Sequence, residues 1–128
     1  MSAHTPLESP HKGKTGLRRV WNAMFYSFAG LGSAWKHEDA FRQESILAML
    51  MVPLAFLLAH DNLARALMIA SVFLVLVVEL LNSAIEATVD RISLENHRLA
   101  KRAKDIGSAA VFISLMNVLL VWGLVLWR

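Results

Sequence analysis

Apolar residues in this chain follow two patterns, and the switch between them sets out its elements. Between Gly16 and Trp35, the residues Leu17, Val20, Trp21, Met24, Phe25, Phe28 and Leu31 recur at steps of three and four. That is the stripe of an amphipathic helix, and it predicts a helix lying in a membrane surface. Beyond it the chain becomes apolar on all sides, from Ile46 to Ala59, from Leu63 to Leu81 with a half-apolar extension to Val89, and from Ile106 to Trp127. The second and third runs meet the requirement of about 20 residues for crossing a bilayer. The first is short and carries Pro53, but a helix begun near Asp39 reaches the needed length, with a kink expected at the proline.

The predicted fold is an all-α membrane protein. A disordered polar tail is expected over 1–15 and a single membrane domain over 16–128. Within that domain the surface helix covers about 16–36, and the transmembrane helices about 39–59, 62–92 and 102–127.

Composition strengthens this picture. Of 128 residues 56% are hydrophobic, and the mean hydropathy is +0.49, more than the core of a soluble domain this size needs. There is no cysteine, which removes disulfides, thiolate metal sites and cysteine nucleophiles. The first 16 residues are polar, with no apolar stretch behind their charges, so they do not read as a secretory signal.

Charge then gives an orientation. Of the 13 lysines and arginines, six precede the first span (Lys12, Lys14, Arg18, Arg19, Lys36, Arg42) and five lie between the second and third (Arg91, Arg98, Lys101, Arg102, Lys104). Only Arg65 and Arg128 remain for the other side. Because flanking cations are retained in the cytoplasm, the N-terminus is expected inside, the C-terminus outside, and a tight outer turn around His60, Asp61 and Asn62. Trp21 and Trp35 at one boundary, and Trp122 and Trp127 at the other, suit aromatic belts or simple lipid-facing packing.

The candidate chemistry lies in the middle span. Glu79 stands inside the most apolar stretch, and Asn82, Glu86 and Asp90 follow at about −60°, −20° and +20° around the helix axis, so all four share one face. An ionisable group at membrane depth costs at least roughly 2.5 kcal/mol on insertion scales and commonly lines a buried or watered site. Asp90 lies about 16 Å along the axis from Glu79, so the face runs from hydrocarbon to water. Glu86 and Asp90 are hard oxygen donors suited to Mg²⁺ with bound phosphates, and Glu79, at the dry end, is a candidate general base. The competing reading is a glutamate that only packs helices.

Lys104 and Asp105 open the third span, followed by Gly107, Ser108, Ala109 and Ala110, small enough to let another helix approach. The pair reads either as an interfacial anchor with a capping carboxylate or as part of a site. Glu38, Arg42, Gln43 and Glu44 place further charge before the first span. Gly13-Lys14-Thr15 is no P-loop, since position 8 is Glu8 and no strand precedes it, and the five histidines lack metal-ligand spacing.

Three ordered motifs, AFRQE from Ala40 to Glu44, ELLNSAIEATVDR from Glu79 to Arg91 and RAKDIGSAAV from Arg102 to Val111, resemble the small prokaryotic integral-membrane diacylglycerol kinases. The likeness runs from about Arg19 to the end. The undecaprenol kinase branch resembles the second motif but reads differently after the Lys104–Asp105 pair, where Gly107 and Ser108 look like the diacylglycerol branch.

The resemblance implies a homotrimer in the bacterial inner membrane, with active sites shared between subunits on the cytoplasmic side. It implies ATP-dependent phosphorylation of diacylglycerol to phosphatidic acid, with Mg²⁺ and no nucleic-acid partner. Glu79 would be the base, and Glu38 with Glu86 would hold the cation. Arg19, Tyr26, Glu95, His97, Lys104 and Asp105 would contact the nucleotide. Arg19, Ser27, Gln43, Glu44, Asn82 and Ser108 would border the lipid. The alternatives are an undecaprenol kinase, a non-catalytic membrane subunit, or a proton relay in transport.

Overall fold

A computed structural model describes residues 16–92 and 98–127. The tail expected over 1–15, together with Glu95 and His97, lies outside the described residues. Four helices follow in order: α1 (Leu17–His37), α2 (Asp39–Leu58), α3 (Asn62–Ile92) and α4 (Arg98–Leu126). The last three are long and apolar enough to cross a membrane, and the chain is a multi-pass membrane protein.

The described chain divides into two units, one ending at Ser33 and one beginning at Ala34. In the first, the whole expected stripe of α1 is exposed, from Leu17 to Leu31. Trp21 and Phe25, one turn apart, meet edge to face at 5.3 Å between ring centres. Ser27 turns its hydroxyl back onto the Ala23 carbonyl at 2.9 Å, as small hydroxyl side chains in helices often do.

The second unit is the membrane bundle. Its helix boundaries agree closely with expectation, with one difference: α4 starts at Arg98, about a turn before the predicted 102. Hydropathy marks where lipid begins, whereas Arg98, Leu99 and Ala100 are good helix formers that extend the element into water. The α2 helix continues through Pro53 as one element.

Between α2 and α3 the expected tight turn is fastened by its own polar groups. Asp61 caps α3, its Oδ1 accepting from the Ala64 N–H at 2.7 Å, which satisfies one of the otherwise orphan donors of a helix start. Arg65 donates to Asn62 Oδ1 at 2.6 Å and to the Ala59 carbonyl at 3.1 Å, with its guanidinium 5.7 Å from the Phe56 ring centre. The cation is therefore tied to both helices. Inside this turn Ala55, Ala59, Ala64 and Met68 are buried, with Trp122 and Val125 packed against them. Three alanines in contact let the backbones approach closely, the usual way membrane helices pack.

Trp122 packs against α3. Its indole N–H reaches across to the Met68 carbonyl at 3.1 Å and the Ser71 hydroxyl at 3.2 Å. In lipid no water competes for that donor, so the ring turns inward to the polar atoms of α3. Trp127 stays largely exposed.

Candidate active site on the acidic face of α3

One stripe of α3 is buried from Ala64 to Ser83: Ala64, Met68, Ser71, Val72 and Val75, then Glu79, Asn82 and Ser83. Spacing of three and four keeps these on one side of the helix. The same face that is apolar near the turn thus becomes acidic toward the far end. Glu79 is only 5% exposed, and a buried carboxyl requires partners close by.

The α2 helix supplies one. The carboxyl groups of Glu44 and Glu79 lie within hydrogen-bonding range of each other, and the charges of Glu38 and Glu86 also act on Glu79. One Glu44 oxygen is buried with no other partner. Glu38 stands at the single extended residue between α1 and α2, with φ −117° and ψ 108°, and its side chain makes no cap hydrogen bond. Its carboxylate is thus free of the structural duty common at such positions. Four acidic groups, Glu44 on α2, Glu79 and Glu86 on α3 and Glu38 just ahead of α2, act on one another here, an arrangement that calls for a proton or an external cation to balance it.

Across from this cluster, α4 approaches through Gly107. A Cβ at that position would overlap Asn82 Oδ1 and stand 3.2 Å from Asn82 Cγ. Only the missing side chain lets the helices meet here with the amide between them. Asn82 in turn donates from Nδ2 to Glu86 Oε1 at 3.3 Å, while its Oδ1 is buried without a hydrogen-bond partner. Further along, Lys104 Nζ pairs with Asp90 Oδ1 at 2.6 Å, and Glu86 is also within its electrostatic reach. The contacts Met68–Trp122, Asn82–Gly107 and Asp90–Lys104 keep one antiparallel register along α3 and α4.

The remaining expected residues are placed differently. Asp105, next to Lys104 in sequence, pairs instead with Lys101 at 2.8 Å on the outer side of α4, because neighbours on a helix point about 100° apart. Gln43 and Ser108 are exposed. Arg42 is bonded to Asp39 and to the Lys36 carbonyl. Arg19, Tyr26 and Ser27 belong to the first unit. Sequence reasoning did not bring out the Glu44–Glu79 pairing or the Asp90–Lys104 bridge. Both depend on the register between helices, which no spacing within one helix reveals.

Among the described residues no three His, Asp or Glu side chains form a ready-made metal group. A magnesium ion bound with nucleotide phosphates takes only one or two protein carboxylates, so Glu38 and Glu86, hard oxygen donors within this acidic cluster, fit that ion.

Fold and site together define a multi-pass helical membrane protein whose central span carries a buried acidic centre. The family model of the prokaryotic diacylglycerol kinases matches residues 25–126, and the chain belongs to that family. The diacylglycerol kinase of Pseudomonas aeruginosa is 55% identical over 118 residues, covering 92% of this chain and 96% of that protein. The diacylglycerol kinase of Haemophilus influenzae is 52% identical, covering 88% and 96%, and that of Escherichia coli is 50% identical, covering 88% and 93%.

Proposed function

We propose that this chain transfers the γ-phosphoryl group of ATP to the primary hydroxyl of 1,2-diacylglycerol, giving phosphatidic acid and ADP. Family membership supports the reaction, and the observation that carries the site is the buried Glu79 carboxyl, faced by Glu44 where the α3 stripe turns from apolar to acidic. The acceptor lipid cannot leave the bilayer and ATP cannot enter it, so the base must stand at the boundary. Glu79 takes the hydroxyl proton as the new O–P bond forms and the bond from γ-phosphorus to ADP breaks. Glu44 and Asn82 border the lipid headgroup, with Gln43 and Ser108 around it.

Glu38 and Glu86 hold Mg²⁺, which offsets the charge of the phosphate oxygens when bound. Lys104 supplies fixed positive charge to the nucleotide, and Glu95, His97 and Asp105 complete its contacts. Phosphoryl transfer asks little covalent help of the protein, mainly position and charge. The working form is a homotrimer in the bacterial inner membrane, with the N-terminus and the sites on the cytoplasmic side, as the distribution of Lys and Arg supports.

The test is ATP-dependent transfer by the purified protein in mixed micelles, with diacylglycerol and undecaprenol offered separately, beside Glu79→Gln. Transfer to diacylglycerol that falls by about 10²–10⁴ in the mutant is expected. Transfer to undecaprenol alone would refute the substrate, and full activity in the mutant would refute the base.

A further inference from the structure

Hydroxyl side chains within these helices share a habit. Ser27, Ser71, Thr88 and Ser114 each turn back onto a carbonyl three or four residues earlier, at 2.6–2.9 Å. Within a helix that carbonyl is the nearest acceptor, and in lipid no water competes for the proton. Ser83 breaks the habit. It is 9% exposed, the last buried residue of the α3 stripe, and its Oγ finds no hydrogen-bond partner among the described residues. A buried hydroxyl left unpaired costs the fold the desolvation of that group, so its partner is to be sought outside the chain.

Its place on α3 says which partner that is. Ser83 lies about +40° around the axis from Glu79 and about 6 Å along it, and Glu86 follows at about −20° and about 10.5 Å. The hydroxyl therefore stands between the base at the dry end and the carboxylate assigned to the cation at the wet end. With the acceptor oxygen at Glu79 and the nucleotide at Glu86, the phosphoryl group in transit passes at the level of Ser83.

We propose that Ser83 is a catalytic residue whose Oγ–H donates to a non-bridging oxygen of the γ-phosphoryl group as it transfers. This rests on the lipid-kinase reading above. The bond from the acceptor oxygen to phosphorus forms, the bond from phosphorus to the ADP oxygen breaks, the acceptor's proton goes to Glu79, and Ser83 keeps its own. Lys104, paired with Asp90 farther along α3, approaches from the water side, which leaves the phosphoryl oxygen on the dry side to a neutral donor. A donor fixed in advance in a site with little water stabilises the transition state without reorganisation at the moment of reaction. A serine already bonded to its own helix could not act in this way.

The experiment measures single-turnover transfer in mixed micelles, with ATP and dioleoylglycerol saturating, for wild type, Ser83→Ala, Ser83→Cys and Ser114→Ala, together with steady-state KM and thermal unfolding of each. Ser83→Ala is expected to slow transfer by about 10–150-fold, the loss of one hydrogen bond to a charged group, while KM for both substrates changes less than about twofold. Its thermal stability should hold or rise, because the hydroxyl removed has no partner in the fold. Ser83→Cys keeps the size of the side chain but donates weakly, and should fall with Ser83→Ala. Ser114→Ala, which loses a hydroxyl bonded to the Val111 carbonyl, should transfer at the wild-type rate.

Transfer within about twofold of wild type in Ser83→Ala or Ser83→Cys would overturn the proposal. So would a loss of thermal stability in Ser83→Ala that matches its loss of rate, which would mark the hydroxyl as structural. A rise in KM with the transfer step unchanged would also overturn it, since the contact would then belong to the ground state. If wild type transfers nothing to dioleoylglycerol, the kinase reading fails and this inference with it, whereas an active wild type beside an equally active Ser83→Ala removes Ser83 alone.

Discussion

Gly107→Ala adds one methyl group where the structure has no room for it. The new Cβ would overlap Asn82 Oδ1 and lie 3.2 Å from Cγ, and those are the atoms of a buried amide rather than the loose end of a surface chain. Either α4 withdraws along its contact with α3 or the amide turns away. Asn82 is 7% exposed and donates to Glu86, so rotation breaks the one hydrogen bond that orients that carboxylate from its own helix. Overpacking a close contact costs about 1–3 kcal/mol. A hydrogen bond to a charged group contributes about 1.5–3 kcal/mol, and at 3.3 Å this one belongs at the lower end. A loss of about 1.5–3 kcal/mol at the reacting centre corresponds to roughly 10–150-fold in rate.

The assay is phosphate transfer to diacylglycerol at limiting and saturating Mg²⁺, for Gly107→Ala, Asn82→Ala and the double variant. Because the methyl group acts by displacing the amide, removing the amide first should leave it little to do. The double variant is therefore expected to match Asn82→Ala within about threefold, a strong departure from additivity. Gly107→Ala should also need more Mg²⁺ than wild type, since the carboxylate it misdirects is the one assigned to the cation. Full activity in a folded Gly107→Ala protein, or two losses that simply multiply, would refute the reasoning.

Trp122→Phe removes the indole donor to Met68 and Ser71 and is expected to lower unfolding stability in detergent by about 0.6–2 kcal/mol. Since Met68 is about 16 Å along α3 from Glu79, transfer by the folded fraction should stay within about twofold, and a large loss of kcat would contradict this. Asp90→Asn releases Lys104 from its ion pair and is expected to lower KM for ATP several-fold, more at low salt. Lys104→Met should raise KM for ATP, and KM for diacylglycerol should hold in both; movement of both constants together would remove Lys104 from the nucleotide. Lys101→Ala breaks a pair whose side chains are both mostly exposed and is expected to leave thermal unfolding unchanged.

The helices were legible because each obeys a rule local to the chain. Asn62 to Ile92 matched its predicted bounds at both ends, where an acidic cap opens the helix and the apolar run fixes its length. The start of α4 was not legible from hydropathy, since Arg98, Lys101 and Arg102 interrupt the apolar run while remaining good helix formers. The face of Glu79, Asn82 and Glu86 could be read from spacing alone, because period 3.6 is a property of one helix. What that face meets could not. Glu44 appeared in the sequence as one more charge before a span, and only the register between α2 and α3 turns it toward Glu79. The same limit hid the ion-pair partners of Lys104 and Asp105, which point about 100° apart on α4 and pair with Asp90 and Lys101.

The length of α3 explains why packing and chemistry share a surface. Thirty-one residues rise about 46 Å, well beyond the roughly 30 Å of hydrocarbon. One end of the helix must therefore leave the lipid, and the buried stripe ends at Ser83, short of that end. Near the turn that stripe packs alanine, methionine and valine against α2 and α4, and there the tightest contacts hold the bundle. Past Val75 the same geometry still excludes solvent, but the residues it encloses are Glu79 and Asn82. A carboxyl held in this way is more strongly coupled to its neighbours than one in water, because the surroundings screen it less. Exposed, Glu79 would be an ordinary surface acid, and deeper in the hydrocarbon it could not be reached by a nucleotide. Its position on α3 is fixed by both demands together, and Gly107 and Glu44 are the residues through which α4 and α2 meet them.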